Sequence, residues 1–114
     1  MEFDVAILGG GSAGYAAASV AESQGASVVI IDPGPLGGLC ILHGCMPTKT
    51  ILRSSDIISL TRRAKEFGLL SVEAKADLAA INDRKNKLIR EFADYRIEQL
   101  KNPRFTLIEE KAEF

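Results

Sequence analysis

The sequence has no surplus of charge. Its 14 Lys and Arg are balanced by 15 Asp and Glu, for a formal charge of -1, so it offers a polyanion such as nucleic acid no electrostatic footprint. Long apolar runs are also missing. The longest, such as "SVVII" at residues 27–31, fall far below the roughly 18 residues of a membrane span. The opening "MEFDVAILGGG" is acidic and lacks the basic region that begins a secretory leader, so neither membrane nor export is expected and the cytoplasm is. Metal ligands are scarce: one histidine, His43, and two cysteines, Cys40 and Cys45. A structural zinc needs about four ligands, so no metal centre is expected and no specific role falls to His43. In a reducing cytosol a permanent disulfide is disfavoured as well, which leaves catalysis as the main use for the two thiols.

What is present reads as one domain. With 114 residues, 46% hydrophobic and 25% charged, the chain has the composition of an ordinary globular protein and room for a single core. "FDVAIL" (3–8) suits a buried parallel strand ending at Gly9. A helix is expected from near Ser12 to near Gly25, with a small face (Ala13, Gly14, Ala16, Ala17, Ala18) that permits close packing. "ASVVIID" (26–32) reads as the next parallel strand, so this opening is a βαβ unit and the fold class is α/β. A second helix is expected over 47–67, with Pro47 in its first turn and Gly68 as its stop. Residues 69–76 read as a connection. Asp77 is placed to cap a third helix reaching about Asn102, with Leu78, Ile81, Leu88, Phe92 and Tyr95 as its apolar stripe and Arg84, Lys87, Arg90 and Lys101 on its solvated side. "RFTLIEE" (104–110) is a third strand candidate.

Gly9, Gly11 and Gly14 form G-x-G-x-x-G between strand and helix, and Asp32 ends the following strand. That context is what a dinucleotide fingerprint requires. Gly9 makes the tight turn, Gly11 lets the backbone approach a pyrophosphate, and Gly14 lets the helix pack on the strand. The helix N-terminus then presents free N–H groups to the phosphates. Asp32 is placed to accept from ribose hydroxyls and disfavours a 2'-phosphate, while the loop by itself suits NAD and FAD alike.

The thiols stand at i and i+5. In an ideal helix their Cα atoms would lie about 8.6 Å apart, beyond the roughly 7 Å that a disulfide spans. A bridge therefore needs an irregular turn, which Gly44 allows and Pro47 encourages. That spacing suits a disulfide that opens and closes; the other reading is two unrelated thiols buried as small hydrophobes.

The segment "GGLCILHGCMPTK" (37–49) resembles the redox-active disulfide segment of the class I pyridine nucleotide-disulfide oxidoreductases, which include dihydrolipoamide dehydrogenase, glutathione reductase and mercuric reductase. Their pattern, GG-T-C-x-x-x-G-C-x-P-[ST]-K, follows an N-terminal FAD-binding βαβ unit, as it does here. The resemblance implies a Rossmann-like FAD-binding unit with a parallel sheet and two additional helices. Gly9, Gly11, Ser12, Ala13 and Gly14 would hold the FAD pyrophosphate and Asp32 its ribose, with Gly38 and Leu39 beside them. Cys45 would be the thiolate against the isoalloxazine, Cys40 the interchange thiol that attacks substrate, and Lys49 a positive charge near the flavin edge. The backbone at Lys111 and Ala112 would meet the adenine. Leu39 departs from the family's Thr and removes a hydroxyl near flavin and pyrophosphate.

By the same resemblance, residues 1–114 would be the N-terminal part of an FAD-binding domain, with the nicotinamide-binding and dimerisation domains absent. The expected parent is a homodimer that moves electrons between NAD(P)H, FAD and a small disulfide or dithiol. It is dihydrolipoamide dehydrogenase-like or, alternatively, mercuric reductase-like. The 114 residues alone are expected to be inactive and, through an exposed apolar face, to self-associate. Two readings from other classes stand beside this one, a non-catalytic dinucleotide-binding module and a flavin-free thiol redox sensor.

Overall fold

A computed structural model describes residues 1–70 and 73–113; the third strand, the helices and both cysteines fall within them, while positions 71–72 of the expected connection and Phe114 lie outside. Three strands form one parallel sheet in the order β1 (Val5–Leu8), β2 (Val28–Ile31), β3 (Thr106–Ile108). Val5 pairs with Val28 and Leu8 with Ile31, while Val29 pairs with Thr106 and Ile31 with Ile108. Central β2 is the most apolar strand and the most buried, as expected for a parallel strand with neighbours on both sides. At the bottom of the sheet Asp4 ties the first two strands together. Its carboxylate accepts from the Ser27 N–H at 2.8 Å and the Ser27 hydroxyl at 2.7 Å.

Helix α1 (Ser12–Ser23) connects β1 to β2. It stops two residues short of Gly25, whose φ of 87° carries the chain into the turn. The expected small face is narrower than the run of alanines suggested. Ala18 is wholly buried, whereas Ala13, Ala16 and Ala17 are exposed. The closest approach is at Gly14, where a Cβ would come within 1.9 Å of the Gly9 carbonyl oxygen.

Between β2 and β3 the chain forms four helical pieces, two more than expected. A short helix α2 (Gly38–Leu42) precedes α3, which begins at Cys45 rather than Pro47 and runs to Arg62. Pro47 falls in the first turn, where its missing N–H has no intrahelical partner to lose. A 3-10 turn (Ala64–Phe67) follows, and Gly68, at φ 73°, ends it in the left-handed conformation. Helix α4 (Leu78–Leu100) starts where expected, with Asp77 Oδ1 accepting from the Ala80 N–H at 3.0 Å. The third strand is three residues, shorter than the 104–110 run.

The apolar stripe of α4 requires correction. Only Ala93 and Leu100 are buried on this helix, with Ile97 packed against the core, whereas Leu78, Phe92 and Tyr95 are exposed. The reason is position: only its last two turns enter the α/β core. The rest pairs with α3, and Arg84, expected to be merely solvated, reaches across to donate to the Thr50 carbonyl at 3.2 Å. The core joins Ala18, Val28, Ile30, Leu36, Leu100 and Phe105. Tyr15 meets Phe105 edge-on at 6.2 Å, lies under Arg96 at 4.4 Å, and accepts from Arg104 at 2.9 Å, which ties α1 to α4 and β3. The α3–α4 hairpin projects from this core, so the molecule measures 66 × 27 × 24 Å.

Leu100 is completely buried, so Leu100→Ala is expected to cost about 2–5 kcal/mol, measured by urea unfolding with an unchanged m-value. The Asp4 carboxyl sits below its usual range because the Ser27 hydroxyl and N–H donate to it. A group with a depressed folded pKa stabilises above its unfolded value and loses that contribution as pH falls through the folded one. Asp4→Ala should therefore lower the thermal midpoint at pH 7, and the deficit should shrink as the comparison is moved into acid.

Candidate active site

Three helices begin around one end of the sheet, and each begins on a glycine. Gly11 caps α1, Gly37 caps α2 and Gly44 caps α3. None receives a side-chain capping bond, and none has an acidic residue in its first turn. The remote helix α4 is capped by Asp77 instead. The first-turn N–H groups of α1 are thus left without a side-chain acceptor, and the macrodipole favours an anion there. Nothing lies within 4 Å of where a Gly9 Cβ would stand, so the turn itself is open, at φ 98°. Ser12 and Ala13 are exposed at the helix start. No lysine or arginine precedes Lys49 in the sequence, so the loop depends on backbone dipoles to meet negative charge.

The glycine loop touches the cysteine segment directly. A Cβ on Gly38 would stand 2.7 Å from the Gly11 Cα, so the two backbones are in contact and α2 starts against α1. Asp32 holds the same junction from beneath. Its Oδ2 accepts from the Gly10 N–H at 2.5 Å and its Oδ1 from the Gly34 N–H at 2.8 Å. A carboxylate has about four acceptor positions, so two remain for ribose hydroxyls. This bridging role was not legible from the fingerprint. Its signal was Gly10, whose Cβ would press on Asp32 and Leu100 at 3.1 Å.

The irregular turn that a thiol pair requires is present. Cys40 lies in α2 and Cys45 opens α3, with His43 and Gly44 in non-helical conformations between them. Both cysteines are free; Cys40 is half-buried and Cys45 exposed. A hydrogen bond with the Cys45 thiol, then burial and repulsion from a Cys45 thiolate, push the Cys40 thiol up. The Cys45 N–H and the charge of Lys49 offset this only in part. Cys40 therefore keeps its proton at a pH where a free thiol would be losing it. Lys49 is exposed one turn into α3, Leu39 stands out into solvent at 75% exposure, and His43 is exposed.

The remaining predicted position, Ala112, lies further along. The Asp32 N–H donates to the Ile108 carbonyl at 3.0 Å, so β3 ends beside Asp32 and the following residues leave from there. Lys111 and Ala112 are exposed on that segment. The loop, Asp32, Gly38 and Cys40 are thus joined by direct contacts or adjacent positions, and the segment that carries Ala112 leaves from beside Asp32. No group of three or more His, Cys, Asp or Glu is arranged to hold a metal among the described residues, and no helix there is long and apolar enough to cross a membrane.

Comparison with known proteins gives the same picture. The family described as pyridine nucleotide-disulphide oxidoreductase matches residues 3–113. A dihydrolipoyl dehydrogenase of Chlorobaculum parvum is 40% identical over 87 residues, covering 76% of this chain and 19% of the relative. A mercuric reductase of Lysinibacillus sphaericus is 34% identical over 113 residues, covering 98% of this chain and 21% of the relative. Among solved structures, the Cu(II) complex of the HOCl-induced flavoprotein disulfide reductase RclA from Escherichia coli superposes with a TM-score of 0.68 at 26% identity, covering 96% of this chain and 22% of that one. The chain thus spans about a fifth of the length of these relatives. On sequence and on fold, the chain belongs to the pyridine nucleotide-disulphide oxidoreductase family.

Proposed function

We propose that this chain forms the FAD-binding, thiol-bearing part of a flavoprotein disulfide oxidoreductase of the dihydrolipoamide dehydrogenase kind. The observation that carries the reading is the contact between Gly11 and Gly38, which joins a phosphate-binding loop to a thiol pair. The residues present fit FAD. Uncapped N–H groups at Gly11, Ser12, Ala13 and Gly14 accommodate a pyrophosphate without a basic side chain, and Asp32 has acceptor positions left for a ribose. In this reading Gly38, Leu39 and Lys49 would flank the path from the pyrophosphate to the thiols, and Ala112 would meet the adenine end. Bound there, FAD supplies two-electron redox chemistry between a nicotinamide and a disulfide.

The thiols divide the work by their surroundings. Oxidation of the Cys40–Cys45 dithiol forms one S–S bond and releases two electrons and two protons; reduction by NAD(P)H reverses it. Cys40, whose proton is held by its neighbour, is the thiol that attacks a small disulfide substrate once deprotonated. Exposed Cys45, at the start of α3, is the thiol on the cofactor side. A mercuric reductase-like substrate is the second reading, favoured by the likeness that runs over 98% of this chain. We further infer that the 114 residues alone turn over no substrate, since their only histidine, His43, sits exposed between the cysteines. The working site is cytoplasmic, and the functional assembly pairs two copies.

Absorbance of the purified chain with FAD, before and after dithiothreitol, tests the reading. A bound-flavin spectrum that gains a long-wavelength shoulder on reduction is expected; free-flavin absorbance in both states would oppose it. Thiol roles are tested by the pH dependence of Cys40 alkylation, followed by mass spectrometry. Cys45→Ala should move the Cys40 midpoint down, because the hydrogen bond and repulsion that raise it are removed. Lys49→Met should move it up, and identical midpoints in all three proteins would contradict the assignment.

A further inference from the structure

Along the seam between α1 and the end of α4, buried polar atoms stand without partners. They are Ser19 Oγ on α1, and Arg96 Nε and Nη1 with Gln99 Oε1 on α4. A buried donor left unpaired costs free energy, and most of all on a charged group. Arg96 carries that cost. Its guanidinium carbon lies 4.4 Å from the centre of the Tyr15 ring, which attracts the cation but leaves its in-plane N–H groups unused. No carboxylate pairs with Arg96 among the described residues. Arg104 reaches the same ring: its Nη2 donates to the Tyr15 hydroxyl at 2.9 Å, and its Nη1 stands 3.6 Å from Glu22. Two guanidinium groups therefore share one aromatic ring and one carboxylate, and the cluster is one negative charge short. It also adjoins the thiols. Tyr15 stands one turn along α1 from Gly11, and Gly11 touches Gly38. Cys40 follows two residues later on α2, which packs against α4.

We propose that the missing charge is a carboxylate of the disulfide substrate, held by Arg96 with Arg104 beside it while Cys40 attacks sulfur. This rests on the thiol chemistry proposed above and narrows it to disulfides that carry an acid group. An uncharged disulfide leaves the Arg96 guanidinium unpaired, whereas an acidic one satisfies it, so Arg96 sets specificity and makes no bond in the reaction. The Cys40 thiolate forms an S–S bond to one substrate sulfur as the substrate's own S–S bond breaks, and the other sulfur leaves as a thiolate. Cys45, having lost its proton, then displaces the second substrate thiolate and closes the Cys40–Cys45 disulfide. The two electrons lost by the dithiol are the two gained by the substrate. A single stoichiometric turn of this exchange needs no flavin.

Oxidation of the reduced, flavin-free chain by dithiodibutyrate and by its uncharged diamide, followed by mass spectrometry, tests the proposal. Arg96→Gln should slow the reaction with dithiodibutyrate about tenfold, the equivalent of one hydrogen bond to a charged group. The diamide rate should stay unchanged and helical circular dichroism should be retained. Arg96→Lys should recover part of the loss. Lys87→Gln, which removes the same charge elsewhere on α4, should alter neither rate. Should Arg96→Gln misfold, Arg104→Gln carries the test, with the same selective loss expected. A dithiodibutyrate rate that the substitution leaves unaltered overturns the proposal. Equal slowing of both probes does so too, because it makes the arginine structural, and so does equal slowing by Lys87→Gln, because it reduces the effect to net charge. Thiols that react with neither probe overturn the thiol chemistry as well, whereas a chain that holds no flavin contradicts the cofactor reading and leaves these rates untouched.

Discussion

Two backbone contacts that exclude any side chain organise this molecule. The Cβ that Gly14 lacks would overlap the Gly9 carbonyl, and the one that Gly38 lacks would overlap the Gly11 Cα. The first brings α1 down onto the end of β1 and leaves its N-terminal N–H groups around the open turn. The second brings the start of α2 against that turn. Position along the chain does the rest: α2 carries Cys40, His43 and Gly44 interrupt the helix, and Cys45 begins α3. A thiol pair is thereby built onto a glycine loop through main chain alone, and Asp32 locks the junction by accepting from the Gly10 and Gly34 N–H groups.

The same arrangement divides the chain into a packed part and a projecting one. The radius of gyration is 20.1 Å, against about 13 Å for a compact chain of 100 residues. Where α1 lies on the sheet, Ala18 is enough on the helix side because Gly14 lets helix and strand approach closely, while Leu36, Leu100 and Phe105 fill the rest of the core. In the hairpin no such compression is available. Two helices contact each other along one line, and the apolar residues off that line stay exposed until another surface covers them. Marginal burial in one half and close packing in the other imply that local opening begins at the hairpin.

Much of this could be read in advance, and the limits have physical causes. Strands and βαβ order were legible because a buried parallel strand is a continuous apolar run and its turn is marked by glycine. The cap at Asp77 and the stop at Gly68 were legible because each is a local requirement of the backbone. The face of α4 was not. Leu88, Phe92 and Tyr95 have helical spacing, but which stripe is buried depends on where the helix crosses the sheet, and that placed Ala93, Ile97 and Leu100 inward. The start of α3 was misplaced for a related reason. Pro47 marks a natural first helical residue, but a helix has several first-turn N–H groups to spare and begins here at Cys45. Among the candidate site residues, Gly11 meets Gly38, and Cys40 and Cys45 stand on either side of the break at His43 and Gly44. The bridging bonds of Asp32 escaped because a fingerprint describes what a carboxylate does for a ligand and is silent about what it does for the loop.

The charge distribution follows from the same economy of side chains. The strip from Gly9 to Cys45 holds neither lysine nor arginine, so negative charge arriving there is met by N–H groups fixed in direction by the fold. Such donors need no reorganisation, unlike a flexible ammonium. The first positive side chain along the sequence is Lys49, one helical turn past Cys45, and its charge acts on Cys40. In the proposed reading, oriented backbone meets the phosphates, whose charge is permanent and whose position matters. A side-chain cation appears only near the thiols, where its charge acts on Cys40.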